Sequence, residues 1–291
     1  ETFDIGADLR FFNNKLGLTV DWYQRKTNDM ITTGPTVPIV MGAASPYGNY
    51  AELTTKGWEV SVDFNHRFSN GLGINGTVSF YDSKSKFTDA YDRGERSIWA
   101  NYVGKVYGEI WGYETDRLYQ AGDFATDANG NFIEYYINDP DSKYNGTKVY
   151  QLNGDNPVYQ SNLQSGNFMF SPGDVKYVDR NGDGYIDAGQ STIDDSGDMK
   201  VIGNTNPRYE YSFRLGADYK GFDFSVYTQG IGKRDYTRSG PLSVPGYAIG
   251  DGAIPSSIAN NYWTPERTDA FYPRAYPTYA SNTSGNMQNQ T

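Results

Sequence analysis

The sequence predicts an all-β protein, and within that class a transmembrane antiparallel β-barrel with long extracellular loops. Six segments alternate apolar and polar residues with the period of a strand. In the core of each, the charged residues keep to the polar register, as a lipid-facing surface requires. Short and long connections alternate strictly between the segments, which is the asymmetry of barrels with short periplasmic turns and long outer loops.

The first segment, residues 2–12, sets Phe3, Ile5, Ala7, Leu9 and Phe11 against Asp4, Gly6, Asp8 and Arg10. Residues 15–30 set Leu16, Leu18, Val20 and Trp22 against Thr19, Asp21, Tyr23 and Arg25. In residues 54–68, Trp58, Val60, Val62 and Phe64 oppose Glu59, Ser61, Asp63 and Asn65. Residues 72–83 give Leu72, Ile74, Val78 and Phe80 against Asn75, Thr77, Ser79 and Tyr81. Residues 208–220 place Tyr209, Tyr211, Phe213, Leu215, Ala217 and Tyr219 opposite Glu210, Ser212, Arg214 and Asp218. The last segment, 222–236, has Phe222, Phe224 and Val226 against Asp223, Ser225, Tyr227 and Gln229.

A lysine or arginine on the lipid face at mid-bilayer costs roughly 2–4 kcal/mol, whereas a lumen tolerates it. The polar register therefore reads as the lumen, and Glu59, Asp63, Glu210 and Arg214 are candidates to line it. Aromatics near the segment ends, such as Phe11, Trp22, Phe80 and Tyr219, suit interfacial girdles. His66 shares the register of Phe64, where an interfacial ring is a simpler role than a proton carrier. Tight links fall at Asn13-Asn14-Lys15, Ser69-Asn70-Gly71 and Lys220-Gly221, and the long ones are 31–53, 84–207 and 237–291. Single-chain barrels begin at eight strands, so six strands are expected to be part of a larger one, with the ends of the sequence inside a longer chain.

Composition narrows the chemistry. The mean hydropathy of -0.69 is that of a soluble protein, but spanning strands need only about 10 residues, half of them facing the lumen. With no cysteine and one histidine, disulfide scaffolds, cysteine-based zinc sites and cysteine nucleophiles are excluded. A net charge of -10 makes nucleic acid a poor partner. A hydrolase needs a paired acid and base. The nearest candidate, Asp194-Asp195, consists of neighbours on a loop that need not converge, so no enzymatic activity is expected.

The longest connection contains Asp179, Asn181, Asp183 and Gly184, the opening of an EF-hand-type calcium loop, with Tyr185 able to add a carbonyl and Asp187 the ninth-position ligand. Gln190 stands where the bidentate glutamate belongs. A bound calcium ion and a cluster of Asp/Asn/Gly turns are both open readings.

Five blocks carry a family resemblance. They are Thr55-Lys-Gly-Trp-Glu-Val60; Gly104-Lys105 with Gly112 through Gln120; Pro172-Gly-Asp174 through Asp179–Gly184 to Ile202-Gly-Asn204 and Pro207; Tyr219-Lys-Gly-Phe-Asp223 with Gln229-Gly230; and Tyr262-Trp-Thr-Pro-Glu266 with Tyr272-Pro-Arg274. In this order they resemble the C-terminal half of the SusC/RagA-like TonB-dependent transporters. Thr55, Arg117 and Arg267 depart from the family pattern.

The resemblance implies a plugged barrel of about 22 strands in the outer membrane of a Gram-negative bacterium, in contact with outer-membrane lipid. The plug, signal peptide and TonB-contacting segment would lie outside these residues. It also implies active import of an oligosaccharide or peptide, powered through TonB and assisted by a SusD-like surface lipoprotein acting as a lid. Tyr107, Trp111, Tyr113, Tyr119 and Trp263 are the loop aromatics that would meet substrate, or alternatively pack the loops and lid. A passive porin shares the strands but needs neither these blocks nor so long a loop. A calcium-dependent surface glycan-binding β-protein would keep the calcium loop without the alternation of connections.

Overall fold

The structure is a computed structural model that describes residues 1–34, 37–91, 96–164, 168–237 and 256–275. Its strands are β1 (Thr2–Phe11), β2 (Leu16–Thr33), β3 (Tyr47–Arg67), β4 (Gly73–Ala90), β5 (Glu109–Tyr113), β6 (Thr115–Leu118), β7 (Glu134–Tyr136), β8 (Lys148–Tyr150), β9 (Val175–Tyr177), β10 (Met199–Asn204), β11 (Arg208–Tyr219) and β12 (Phe222–Lys233). The chain divides into a sheet unit, Glu1–Trp111 with Gly203–Tyr236, and a loop unit, Gly112–Ile202 with Thr237–Thr291. No helix among the described residues is long and apolar enough to cross a membrane.

The sheet unit is a six-stranded antiparallel meander in the order β1-β2-β3-β4-β11-β12. Its turns follow from local chemistry. Phe12, Asn13 and Asn14 all take positive φ between β1 and β2, a conformation asparagine tolerates better than most residues. Lys220 and Gly221, both with positive φ, close the two-residue β11–β12 hairpin, and left-handed backbone at both central positions marks the turn type that matches strand twist. The third tight turn is held by Asn70, whose Oδ1 accepts the Leu72 N–H at 3.0 Å.

Pairing register converts six separate alternations into two continuous faces. One row reads Leu9, Leu18, Val62, Val78, Phe213 and Thr228. The next reads Ala7, Val20, Val60, Phe80, Tyr211 and Gly230. The apolar face lies bare, with Ile5 61%, Phe222 82% and Phe224 68% exposed. An uncovered apolar surface of this extent demands a partner or a lipid phase. Its upper border also steps down from strand to strand: Phe3 on β1, Trp22 and Trp58 one row lower, Phe80 lower again, and Val226 on β12. A level apolar band on inclined strands produces this drift, and closed barrels incline their strands by roughly 35–45°.

The opposite face is polar and cross-linked. Arg10 reaches Asp63 at 2.6 Å from two strands away. Gly17 lies between them, where a Cβ would sit 2.1 Å from the guanidinium. Asp8 accepts from Thr19 at 2.6 Å, Ser61 and Ser79 share a hydrogen bond of 3.0 Å, and Tyr81 donates to Glu210 at 2.7 Å. Arg67 pairs with Asp218 at 2.8 Å. Exposed pairs of this kind contribute about 0.2–1 kcal/mol each, so they tune the face more than they hold the sheet.

Three strands run beyond the segments that alternation marks out. β2 extends to Thr33 and β3 begins at Tyr47, because pairing resumes beyond an irregularity between Thr27 and Met30, where Asp29 has a positive φ. A bulge of this kind bends a strand without ending it. The first long connection is therefore 34–46, and β4 continues to Ala90. The alternation of tight and long connections is preserved.

Candidate functional site

The loop unit is built from short ladders, β6 with β9 and β7 with β8, around aromatic clusters. Tyr119, Phe124, Phe168 and Phe170 form one cluster, with Phe132, Tyr150, Leu152 and Leu163 packed against it. Tyr119 is 2% exposed, and burial drives its phenol pKa well above the ordinary range. Trp263 is also buried, and its indole N–H donates to Gln120 at 3.4 Å. The ring packs on Gly173, where a Cβ would stand 2.5 Å from the indole and 2.7 Å from Arg274, and where φ is +93°. Glycine is required there on both counts. The Gly173 N–H donates to the Tyr119 carbonyl and its own carbonyl accepts the Arg274 N–H, both at 2.8 Å. Three of the sequence blocks thus meet at one glycine.

Two carboxylates, Asp174 and Asp198, are completely buried. Asp174 accepts the Ser171 N–H at 2.8 Å. Asp198 accepts the N–H groups of Arg180 at 2.7 Å, Asn181 at 3.4 Å and Asp187 at 2.9 Å. Burial pushes the Asp198 pKa upward despite these bonds. Asp174 falls in the third sequence block and Asp198 in none, and nothing local marks either as an internal acceptor.

The calcium candidates fold as turns. Asp179 accepts the N–H groups of Gly182 and Gly184 at 2.7 and 2.9 Å. The Asn181 Oδ1 accepts from Asp183 N–H at 3.1 Å, and the Asp183 Oδ1 from Tyr185 N–H at 2.8 Å. Asp187 turns to Lys143 at 2.9 Å and the Tyr144 hydroxyl at 3.0 Å. Burial raises its pKa, but the Gly189 N–H, Lys143 and Tyr144 more than offset that and leave it low. Among the described residues no three acidic, histidine or cysteine side chains converge as a metal site. A site whose ninth ligand is neutralised by an ammonium group fits a divalent ion poorly. The expected result is that calcium titrated into the chelator-treated full-length protein evolves no binding heat. A saturable, stoichiometric heat that Asp179→Ala removes would restore the metal reading.

The remaining aromatics are more open. Tyr107 and Trp111 belong to the sheet unit, and Tyr113 to the loop unit. Tyr107 is 50% exposed beside Phe87. Trp111 donates its indole N–H to Glu109 at 3.0 Å, and Glu109 also accepts from Tyr102 and from the Val106 N–H at 3.1 Å. Tyr113 lies 5.5 Å from the Tyr177 ring, and burial, with Asp187 nearby, pushes its phenol up to about 12.

Tyr113 also lines an open groove with Glu114, Thr115, Lys200, Val201 and Ile202. Lys200 and Glu114 form an ion pair there although 86 positions separate them, a distance that hid the groove from sequence reading. Asp195 is folded into a turn that accepts the Gln190 N–H at 3.2 Å. Most of the residue range 237–291 lies outside the described residues.

No family model matches the chain. Its sequence is 25% identical over 284 residues to TonB-dependent receptor P3 of Formosa agariphila, across 93% of this chain and 24% of that protein. It is 27% identical over 236 residues to TonB-dependent receptor P39 of the same organism, across 76% and 20%. The RagAB peptide transporter structure superposes with a TM-score of 0.55 at 17% identity, over 94% of this chain and 25% of that one. The resemblance to SusC/RagA-like TonB-dependent transporters is borne out. The six-stranded sheet is part of an outer-membrane β-barrel, and in such barrels the apolar face meets lipid and the polar face the lumen. The chain spans about a quarter of the length of the receptor P3. In receptors of this type the tight turns are periplasmic and the long connections extracellular.

In that setting the structure separates two kinds of motif residue. Tyr119, Trp263, Gly173 and Arg274 form the internal scaffold of the loop unit. Tyr107, Trp111 and Tyr113 keep surface to offer. Glu59, Asp63, Glu210 and Arg214 share the lumen face.

Proposed function

We propose that the full-length protein imports an oligosaccharide or peptide across the outer membrane by a TonB-dependent cycle, with a SusD-like lipoprotein as its extracellular lid. What supports this reading is an apolar face that runs unbroken over six strands while every long connection leaves from one end, in a chain similar to TonB-dependent receptors over most of its length. A passive pore shares the sheet but has no use for a buried, aromatic-cored loop unit. Ligand held between lid and loops would meet Tyr107 and Trp111 of the sheet unit or Tyr113 of the loop unit, whose flat faces pack on sugar rings and on peptide side chains alike. Release would follow rearrangement of the plug into a lumen lined by Glu59, Asp63, Glu210 and Arg214. The RagAB relative is a peptide transporter, which favours testing oligopeptides first.

Deleting TonB in the native host is expected to abolish uptake of the ligand while the protein stays in the outer-membrane fraction. Uptake unchanged by the deletion would make the barrel a passive pore. Purification of the intact protein in mild detergent is expected to bring a surface lipoprotein with it, and any retained ligand identifies the substrate.

A further inference from the structure

The lipid-facing side of the sheet carries a basic cluster that import does not use. One row above Trp22 and Trp58, Lys56 on β3 stands directly opposite Lys84 on β4. One row higher, Lys86 stands opposite Thr54. Strand alternation keeps all three lysines on the face of Trp58 and Phe80. Like charges placed directly opposite one another destabilise a sheet, so this pair calls for a counter-charge. Among the described residues no carboxylate pairs with these lysines; Asp89, opposite Glu52 on the same face, makes no ion pair with them. Glu52 is taken by Lys26 at 3.0 Å and Asp82 by Arg208 at 2.6 Å. Lys56, Lys84 and Lys86 are exposed and make no ion pair among the described residues. On the lumen side of the same stretch the facing residues are neutral, Thr55 and Ser85, hydrogen-bonded at 2.8 Å.

We propose that Lys56, Lys84 and Lys86 dock the phosphate groups of an anionic outer-leaflet glycolipid. The occupant follows from position. The cluster is continuous with the apolar band, and Trp58 marks the interface directly beneath Lys56. Two strand residues advance about 7 Å, which carries the ammonium groups from the edge of the hydrocarbon to headgroup depth. Their four-carbon stems can lie along the aromatic rim while the charges meet phosphate. This inference rests on the outer-membrane placement and is independent of what the protein imports.

The test is native mass spectrometry and thermal melting of the full-length protein in mild detergent. Diphosphoryl lipid A, dephosphorylated lipid A and inorganic pyrophosphate serve as separate probes. Lipid A is expected to bind and raise the melting temperature, and the other two are not. K56Q/K84Q/K86Q is expected to weaken lipid A binding by about a hundredfold, the effect of three surface charges. K220Q, in a periplasmic turn, should leave it unchanged, and a heat-modifiable band on gels verifies that both variants fold. Equal binding by the triple variant, or of dephosphorylated lipid A by the unmutated protein, would overturn the proposal. Pyrophosphate binding as tight as that of lipid A would also overturn it, by pointing to a free anion.

Discussion

Replacing Val78 by arginine in the full-length protein is expected to block barrel assembly. Val78 sits mid-band between Val62 and Phe213 in a row that is apolar on every strand up to Thr228. Arginine there would hold its charge in hydrocarbon at a cost of about 2–4 kcal/mol, a large fraction of the stability of an ordinary domain. The expected readout is loss of the heat-modifiable folded band and depletion from the outer membrane. Ser79→Arg is the matched control. Ser79 is one residue along the same strand but on the lumen face, where its hydroxyl meets Ser61 at 3.0 Å. It should assemble near normally. Were Val78→Arg to assemble as well as Ser79→Arg, the apolar face would not meet lipid; assembly of Val78→Arg with failure of Ser79→Arg would show the two faces reversed.

Replacing Asp198 by alanine is expected to open the loop unit while sparing the barrel. The substitution strands the N–H groups of Arg180, Asn181 and Asp187, which the buried carboxylate now accepts. The Asp187 N–H is buried, and an unsatisfied buried donor costs about 1–3 kcal/mol; the part-buried bonds from Arg180 and Asn181 are lost with it. Limited proteolysis is expected to cut Asp198→Ala within residues 179–199 while the heat-modifiable barrel band persists. Resistance equal to that of the unmutated protein would show that water or a neighbour satisfies these groups. Asp198→Asn should fall between the two, because its carbonyl oxygen still accepts while its amide group faces donors.

The blocks that carry the family resemblance hold buried and open aromatics alike. Trp263 closes over Gly173, at which no side chain fits, and the Tyr119 ring fills the cluster with Phe124, Phe168 and Phe170. Open aromatic surface sits instead at positions such as Tyr107, 50% exposed. Aromatic residues serve burial and ligand stacking equally well, so type and spacing alone cannot separate the two roles.

The strand segments, their two faces and the alternation of turns are legible in the sequence because a strand's period of two is a local property. Each of the six segments can be sorted into faces without knowing its neighbours. Register is not local. Only the paired structure aligns Val60 with Phe80 and Lys56 with Lys84, and only it shows the apolar border stepping down from Phe3 to Val226. The extension of β3 back to Tyr47 likewise depends on pairing with Thr33 across an irregularity that no periodicity announces. In the loop unit, Asp198 meets Arg180 and Asp187, and Lys143 meets Asp187. Those contacts were decided by tertiary packing, since the groups that meet lie well apart in sequence and no local period marks them as partners.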